Sequence, residues 1–257
     1  MKNLSILYVL AITLSFVAGC NKNSGDTPPP AQIYLLSVLK TTNNGKVADS
    51  AVYKYDAQNK VIEVIDVPNQ TTDVKYTYDS NDRLTEIDTY QSGIIAAKKI
   101  YTYNAGSINQ QINGYTGSVL SNTLNTVITL NPSQQITKIS FTSNDYNTYT
   151  YDASGNQATY NQFISGTTGP YVTHTYTYDT HPSPFTNVKG NFYVSGNFDM
   201  INNIKSETVT AVTPPSTTYS YNYNYVYNSD GFPLTRTSTV TGISDPHTVV
   251  NYTYITK

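Results

Sequence analysis

Tyr76-Thr77-Tyr78-Asp79-Ser80-Asn81-Asp82-Arg83-Leu84-Thr85-Glu86-Ile87 holds a strand end, a turn and a returning strand in one line of chain. Strand alternation puts the two rings of Tyr76 and Tyr78 on one face and Thr77 on the other. Asp79 carries a short acceptor side chain that bonds backbone amides two residues on, which ends a strand in a turn. Leu84 and Ile87 resume an apolar pattern at opposite parity, so either both faces are part apolar or a bulge intervenes. The Tyr-x-Tyr-Asx unit recurs at Tyr53-Lys54-Tyr55-Asp56, Tyr101-Thr102-Tyr103-Asn104, Tyr149-Thr150-Tyr151-Asp152, Tyr176-Thr177-Tyr178-Asp179 and Tyr225-Val226-Tyr227-Asn228. A partial copy, Tyr252-Thr253-Tyr254, lies near Lys257.

From Asx to Asx the first two steps are 23 and 25 residues, and Ile128-Thr129-Leu130-Asn131 divides the next 48 into 27 and 21. The 49 residues from Asp179 to Asn228 read as two further units. Such a period holds two strands of about eight residues and two turns, so each unit is one β-hairpin. Gly155 and Gly231 stand where short loops want a left-handed residue. The opposite turns lie at Asn43-Asn44-Gly45, Gln91-Ser92-Gly93 and Ser165-Gly166-Thr167-Thr168-Gly169-Pro170. The fold class is therefore all-β: an antiparallel meander of repeated hairpins that curls into a barrel, half-barrel or solenoid-like sheet to manage its edges. One segment breaks the pattern. Pro182 and Pro184 in Thr180-His181-Pro182-Ser183-Pro184-Phe185 forbid an ordinary returning strand, which predicts an irregular excursion to Met200 and a strand resuming near Ile204.

Residues 1–19 form a lipoprotein signal peptide in this reading. Lys2 precedes the apolar run Leu4 to Val17, too short to span a bilayer. Val17-Ala18-Gly19-Cys20 then presents a lipobox, and Cys20 is the single cysteine. Residues 20–31 are the lipidated Cys and a Pro-rich tether with Pro28-Pro29-Pro30, and residues 32–257 are one repeat domain. The expected location is the cell envelope, anchored to the outer membrane by lipid on Cys20 with the face undetermined. Loss of Lys2 would leave 14 of the 15 basic side chains against 17 acidic ones, or −3. That balance argues against nucleic acid as a partner. Strands this rich in Asn, Thr, Lys and Asp also argue against a lipid-facing pore.

The line from Tyr76 to Ile87 resembles the YD repeats of the RHS family, with Asp82 in place of that pattern's Gly. The whole layout is similar to a group of small Bacteroidota lipoproteins of unknown function, through the lipobox, the hairpins, Ser183-Pro184-Phe185 and Asn202-Asn203-Ile204. The resemblance implies a curved or barrel-like antiparallel sheet. It implies no activity.

Chemistry-bearing residues are few. The histidines are His174, His181 and His247, the glutamates Glu63, Glu86 and Glu207. No phosphate loop, zinc spacing or nucleophile elbow is present, so no catalytic residue, metal site or cofactor is expected. The histidines read as solvated or turn residues, and the repeated Asp residues as turn formers rather than acids. Tyr219, Tyr221, Tyr223, Tyr225 and Tyr227 share one face of one strand, a ladder of about 27 Å. Such rings suit stacking on sugars beside Asn and Thr, and they suit the core of a curled sheet better, since a core explains Tyr at the same positions of every repeat. The expected function is a non-catalytic envelope binding module for a glycan or oligosaccharide. The alternative is a structural scaffold for an outer-membrane protein partner. A hydrolase would need two carboxylates converging in a cleft, such as Glu63 or Glu86 with a neighbouring Asp.

Overall fold

In the computed structural model, which describes residues 32–43, 45–67, 72–195, 201–212, 216–241 and 248–257, Asp79 makes the turn its position implies. Cys20, the signal segment, the tether, Asn44, His247 and residues 196–200 of the excursion lie outside the described residues. Asp79 Oδ1 accepts hydrogen bonds from the amides of Asn81 and Arg83, both at 2.9 Å. Asp56, Asp152 and Asn228 repeat this geometry on their own loops. The degenerate copy does so as well, through Gln135 N on Asn131 Oδ1 at 2.9 Å. The third residue after each Asx is left-handed: Asn59, Asp82, Gln134, Gly155 and Gly231 have φ of 68°, 60°, 64°, 89° and 84°.

These turns join sixteen strands: β1 (Tyr34–Asn43), β2 (Lys46–Tyr55), β3 (Val61–Asp66), β4 (Thr72–Tyr78), β5 (Leu84–Gln91), β6 (Ile94–Asn104), β7 (Ser107–Thr116) and β8 (Val119–Leu130). β9 (Ile136–Phe141), β10 (Tyr146–Tyr151), β11 (Gln157–Phe163), β12 (Val172–Pro182), β13 (Asn202–Ala211), β14 (Thr217–Tyr227), β15 (Pro233–Val240) and β16 (Thr248–Thr256) follow. Each pairs antiparallel with its sequence neighbours, and β1 pairs with β16 from Tyr34↔Thr256 to Asn43↔Thr248, so the meander closes into a barrel. Closure leaves no free edge, which settles the choice among barrel, half-barrel and solenoid.

A repeated bulge resolves the parity puzzle. Thr77 faces Glu86 while Tyr78 faces Leu84, which leaves Thr85 unpaired and turns both Leu84 and Ile87 inward, at 0% and 4% exposure. The same register shift follows the turns at Asp56, Asn131, Asp152 and Asn228. Every even-numbered strand carries the Tyr-x-Tyr positions, with Ile128 and Leu130 standing in on β8. The interval from Asp179 to Asn228 is not two hairpins, as its length suggested. It is one strand pair, β13 and β14, plus the excursion between β12 and β13.

The second ring of each unit locks the wall. Tyr55, Tyr78, Tyr103, Tyr151, Tyr178 and Tyr254 donate their hydroxyls to the carbonyls of Leu36, Val61, Leu84, Ile136, Gln157 and Pro233, at 2.7 to 2.9 Å. Each bond reaches the odd-numbered strand that precedes its own in the chain. On β14 this lock is made by Tyr225 on Ile204 O at 2.9 Å, and Tyr227 instead donates to Asp179.

The excursion closes the end of the barrel where the Asx turns lie. Asn187 donates to Tyr34 O at 3.0 Å, Lys189 N to Asn59 O at 3.1 Å, and Asn191 accepts from Leu84 N at 2.6 Å and donates to Tyr103 at 2.7 Å. One short segment reaches β1, β5, β6 and the β2–β3 turn only by crossing the mouth, so it is a plug. Its Phe185, Val188, Phe192 and Val194 join the two core clusters that Leu36, Tyr53, Val61 and Tyr252, and Leu84, Ile87, Tyr101, Ile108 and Ile128, supply from the wall. Phe192–Ser195 is a single 3-10 turn. Asn202 and Asn203 tie off the return, donating to His181 O at 3.1 and 3.2 Å, and β13 resumes at Asn202, two residues before the expected Ile204.

Candidate functional site

The phase set by Tyr-x-Tyr decides which side chains line the barrel. Rings that touch the plug, such as Tyr53 on Phe185 and Tyr76 on Phe192, face inward. Residues between them face out, including Lys54, which pairs with Glu63 at 2.5 Å, and Lys98, which pairs with Glu86 at 2.7 Å and Asp88 at 3.1 Å. Glu63 and Glu86, the carboxylates nominated for a hydrolase, thus lie on the convex face bridged by lysines. They do not converge in a cleft. The bond from Lys54 holds Glu63 below the usual carboxylate range against the opposing effect of burial, and the Lys54 and Lys75 charges add to it.

The tyrosine ladder of β14 faces the lumen along its whole length, and its rungs differ. Tyr227 stacks on His181 with ring centres 4.0 Å apart. Tyr225 locks Ile204, and Tyr223 donates to Glu207 Oε2 at 2.9 Å. Tyr219 is 42% exposed and Tyr221 half-buried, and neither makes a side-chain hydrogen bond among the described residues. The lower three rungs are committed to the wall. The upper two are presented to the lumen beyond the plug.

Register adds a second row that sequence alone did not reveal. Tyr149, Tyr160, His174, Val209 and Tyr219 stand opposite one another across β10, β11, β12, β13 and β14. Tyr149 stacks on Tyr160 at 5.3 Å, and Tyr160 meets the His174 ring at 5.1 Å. At about 4.8 Å per strand the belt is about 19 Å long. Below it, Glu207 binds His174 Nδ1 through Oε1 at 2.7 Å and takes bonds from Tyr223 and Tyr176. Burial pushes the Glu207 carboxyl up, but the bonds from His174 and then Tyr223 outweigh it and hold the group ionised below its ordinary value. Burial, then the Glu207 charge, pushes both Tyr176 and Tyr223 well above the usual phenol range, so they stay neutral donors. His174 is thus a half-buried partner of Glu207, not the solvated or turn histidine expected of it. His181, by contrast, does sit at the end of β12, its amide bonded to Asp179 Oδ1 at 2.9 Å.

Arg236, inward on β15 opposite Tyr225 and Val250, stacks over the Tyr223 ring at 5.0 Å. Lys99 points inward on β6, where burial pulls its ammonium below the usual range. Between plug and wall, Leu39, Phe185, Asn203, Tyr225, Arg236 and Tyr252 line a cavity of about 190 Å³. Glu207 and Arg236 could not be placed inward from the sequence, because the excursion resets the phase before β13 and the bulge resets it again before Arg236.

No protein-family model and no curated protein matches the chain. Among solved structures it is similar to a porin-like protein from Bacteroides vulgatus, at 10% identity and a TM-score of 0.45 over 87% of this chain and 99% of that one. It is also similar to a porin-like protein from Bacteroides uniformis, at 14% identity and 0.39 over 86% and 96%. A third likeness is to TcdB2-TccC3, at 13% identity and 0.32, over 87% of this chain and 14% of that one.

Proposed function

We propose that this protein is a non-catalytic cell-envelope lipoprotein, held by lipid on Cys20 after a 1–19 signal peptide, whose barrel lumen binds an oligosaccharide. The observation that carries this reading is the belt of inward rings, with Tyr219 and Tyr221 making no side-chain hydrogen bond among the described residues beside the charged Glu207. Flat rings give stacking area at low entropic cost, and fixed donors and acceptors around them suit sugar hydroxyls. Glu207 serves as an acceptor in this reading. Its two oxygens already hold His174 and Tyr223, and among the described residues no second carboxylate is paired with it.

Calorimetric titration of the full chain against a broad panel of plant, host and microbial oligosaccharides tests it. At least one should bind, and Tyr221→Ala should weaken that binding by about tenfold, or ~1.4 kcal/mol. Silence across the panel removes the proposal.

A second reading has its own support. Val47, Ile94, Val119, Leu120 and Val212 are exposed aliphatics at the hairpin turns of the unplugged rim. A rim of this kind suits docking on a protein partner in the membrane, the scaffold alternative. Crosslinking in native envelopes should then recover one stoichiometric partner, and Leu120→Asp should release it.

A further inference from the structure

The cavity under the plug is lined by a cation with no acidic partner among the described residues. Arg236 has no carboxylate within ion-pair distance among the described residues, although Glu207 on β13 and Asp179 on β12 belong to the same stretch of wall, two and three strands away. Glu207 is committed to His174, Tyr176 and Tyr223, and Asp179 to Tyr227 and to the amides of His181 and Asn203. The guanidinium shares one side-chain bond with Tyr225, but its Nε is buried with no hydrogen-bond partner among the described residues. A buried donor left unfilled costs stability, and replacing a partly buried cation with an apolar side chain of similar volume is commonly neutral or stabilising. Its position in the cavity gives the cost a reason.

We propose that Arg236 anchors the carboxylate of a ring-sized acid in this cavity, a uronic-acid residue in the form that rests on the oligosaccharide reading above. The cavity's 190 Å³ matches about six waters of liquid volume, room for one ring. Guanidinium presents a planar fork that takes a carboxylate in two parallel bonds. Tyr225, Tyr252 and Phe185 line it with flat apolar surface for the ring. Lys99, on the opposite side of the barrel, is not among the lining residues.

Calorimetry and thermal melts on the full chain test this with glucuronate, glucose and cyclohexanecarboxylate. Glucuronate should bind at least tenfold more tightly than glucose, and Arg236→Met should lose that preference while Tm holds or rises. Equal affinity for cyclohexanecarboxylate upholds the Arg236 carboxylate site and removes its link to sugars. Equal affinity for glucose and glucuronate overturns the proposal, as does an Arg236→Met protein that melts lower with binding unchanged. If Arg236→Met does not fold, Arg236→Lys decides: it keeps the charge without the fork, and a loss below about threefold overturns the site.

Discussion

The hydroxyl of Tyr78 on β4 donates to Val61 O on the adjacent β3, and Tyr78→Phe leaves that carbonyl without its donor at the mouth of the barrel. The expected cost is about 1–2 kcal/mol, seen as a lower urea midpoint with an unchanged slope. Thr77→Val, one residue away and facing solvent, should change the midpoint by less than half as much. The turn-making role of the Asx residues is legible because it is local: Asp79 bonds amides two and four residues on. The lock is not legible, because its acceptors lie 15 to 21 residues back and are identified only by register. The same holds for Leu84 and Ile87, whose conflicting parity only the bulge at Thr85 explains.

At the scale of elements, the plug and the cross-strand cluster carry separate predictions. Phe192 is 3% exposed and packs edge-on against Tyr76. Phe192→Ala should cost about 3–5 kcal/mol, with the largest rise in amide exchange in the plug and the β4–β5 turn it covers. Glu207 bridges β12, β13 and β14. Its folded pKa lies below the ordinary 4.5, so its stabilising contribution is complete above about pH 4.5 and fades as pH falls through the lower folded value. The stability gap between the native chain and Glu207→Gln should therefore narrow on acidification from pH 6 to 3 in urea titrations. A gap constant over that range contradicts the assignment. The excursion announces itself through Pro182 and Pro184, but Phe185, Val188, Phe192 and Val194 follow neither strand nor helix spacing, so nothing in their order says that they turn inward. The ladder of β14 was legible as one face of one strand. Its division into committed and free rungs depends on Asp179, His181, Ile204 and Glu207, which other elements supply.

At the scale of the molecule, the barrel is polar outside and aromatic inside. Lys54, Glu63, Glu86 and Lys98 stand on its convex wall, where a hydrocarbon-facing surface would need an apolar band about 25 Å tall. The closure that removes every edge also brings residues distant in the chain together: Ile33 and Lys257 exchange backbone hydrogen bonds at 3.1 Å in both directions. The order of hairpins is then a ring, and where that ring is cut is a covalent detail rather than a structural one. A circular permutant that joins Lys257 to Gln32 through a short glycine-serine linker and opens between Gly117 and Ser118 should fold to the same barrel, with a circular dichroism spectrum matching the parent and a Tm within a few degrees. Ser118 has a φ of 71°, a conformation that costs about 1–2 kcal/mol in a non-glycine residue, and the cut releases it. Opened instead within β14, the same ring should fail, because Tyr223, Tyr225 and Tyr227, which bind β14 to β12 and β13, would then belong to two loose ends.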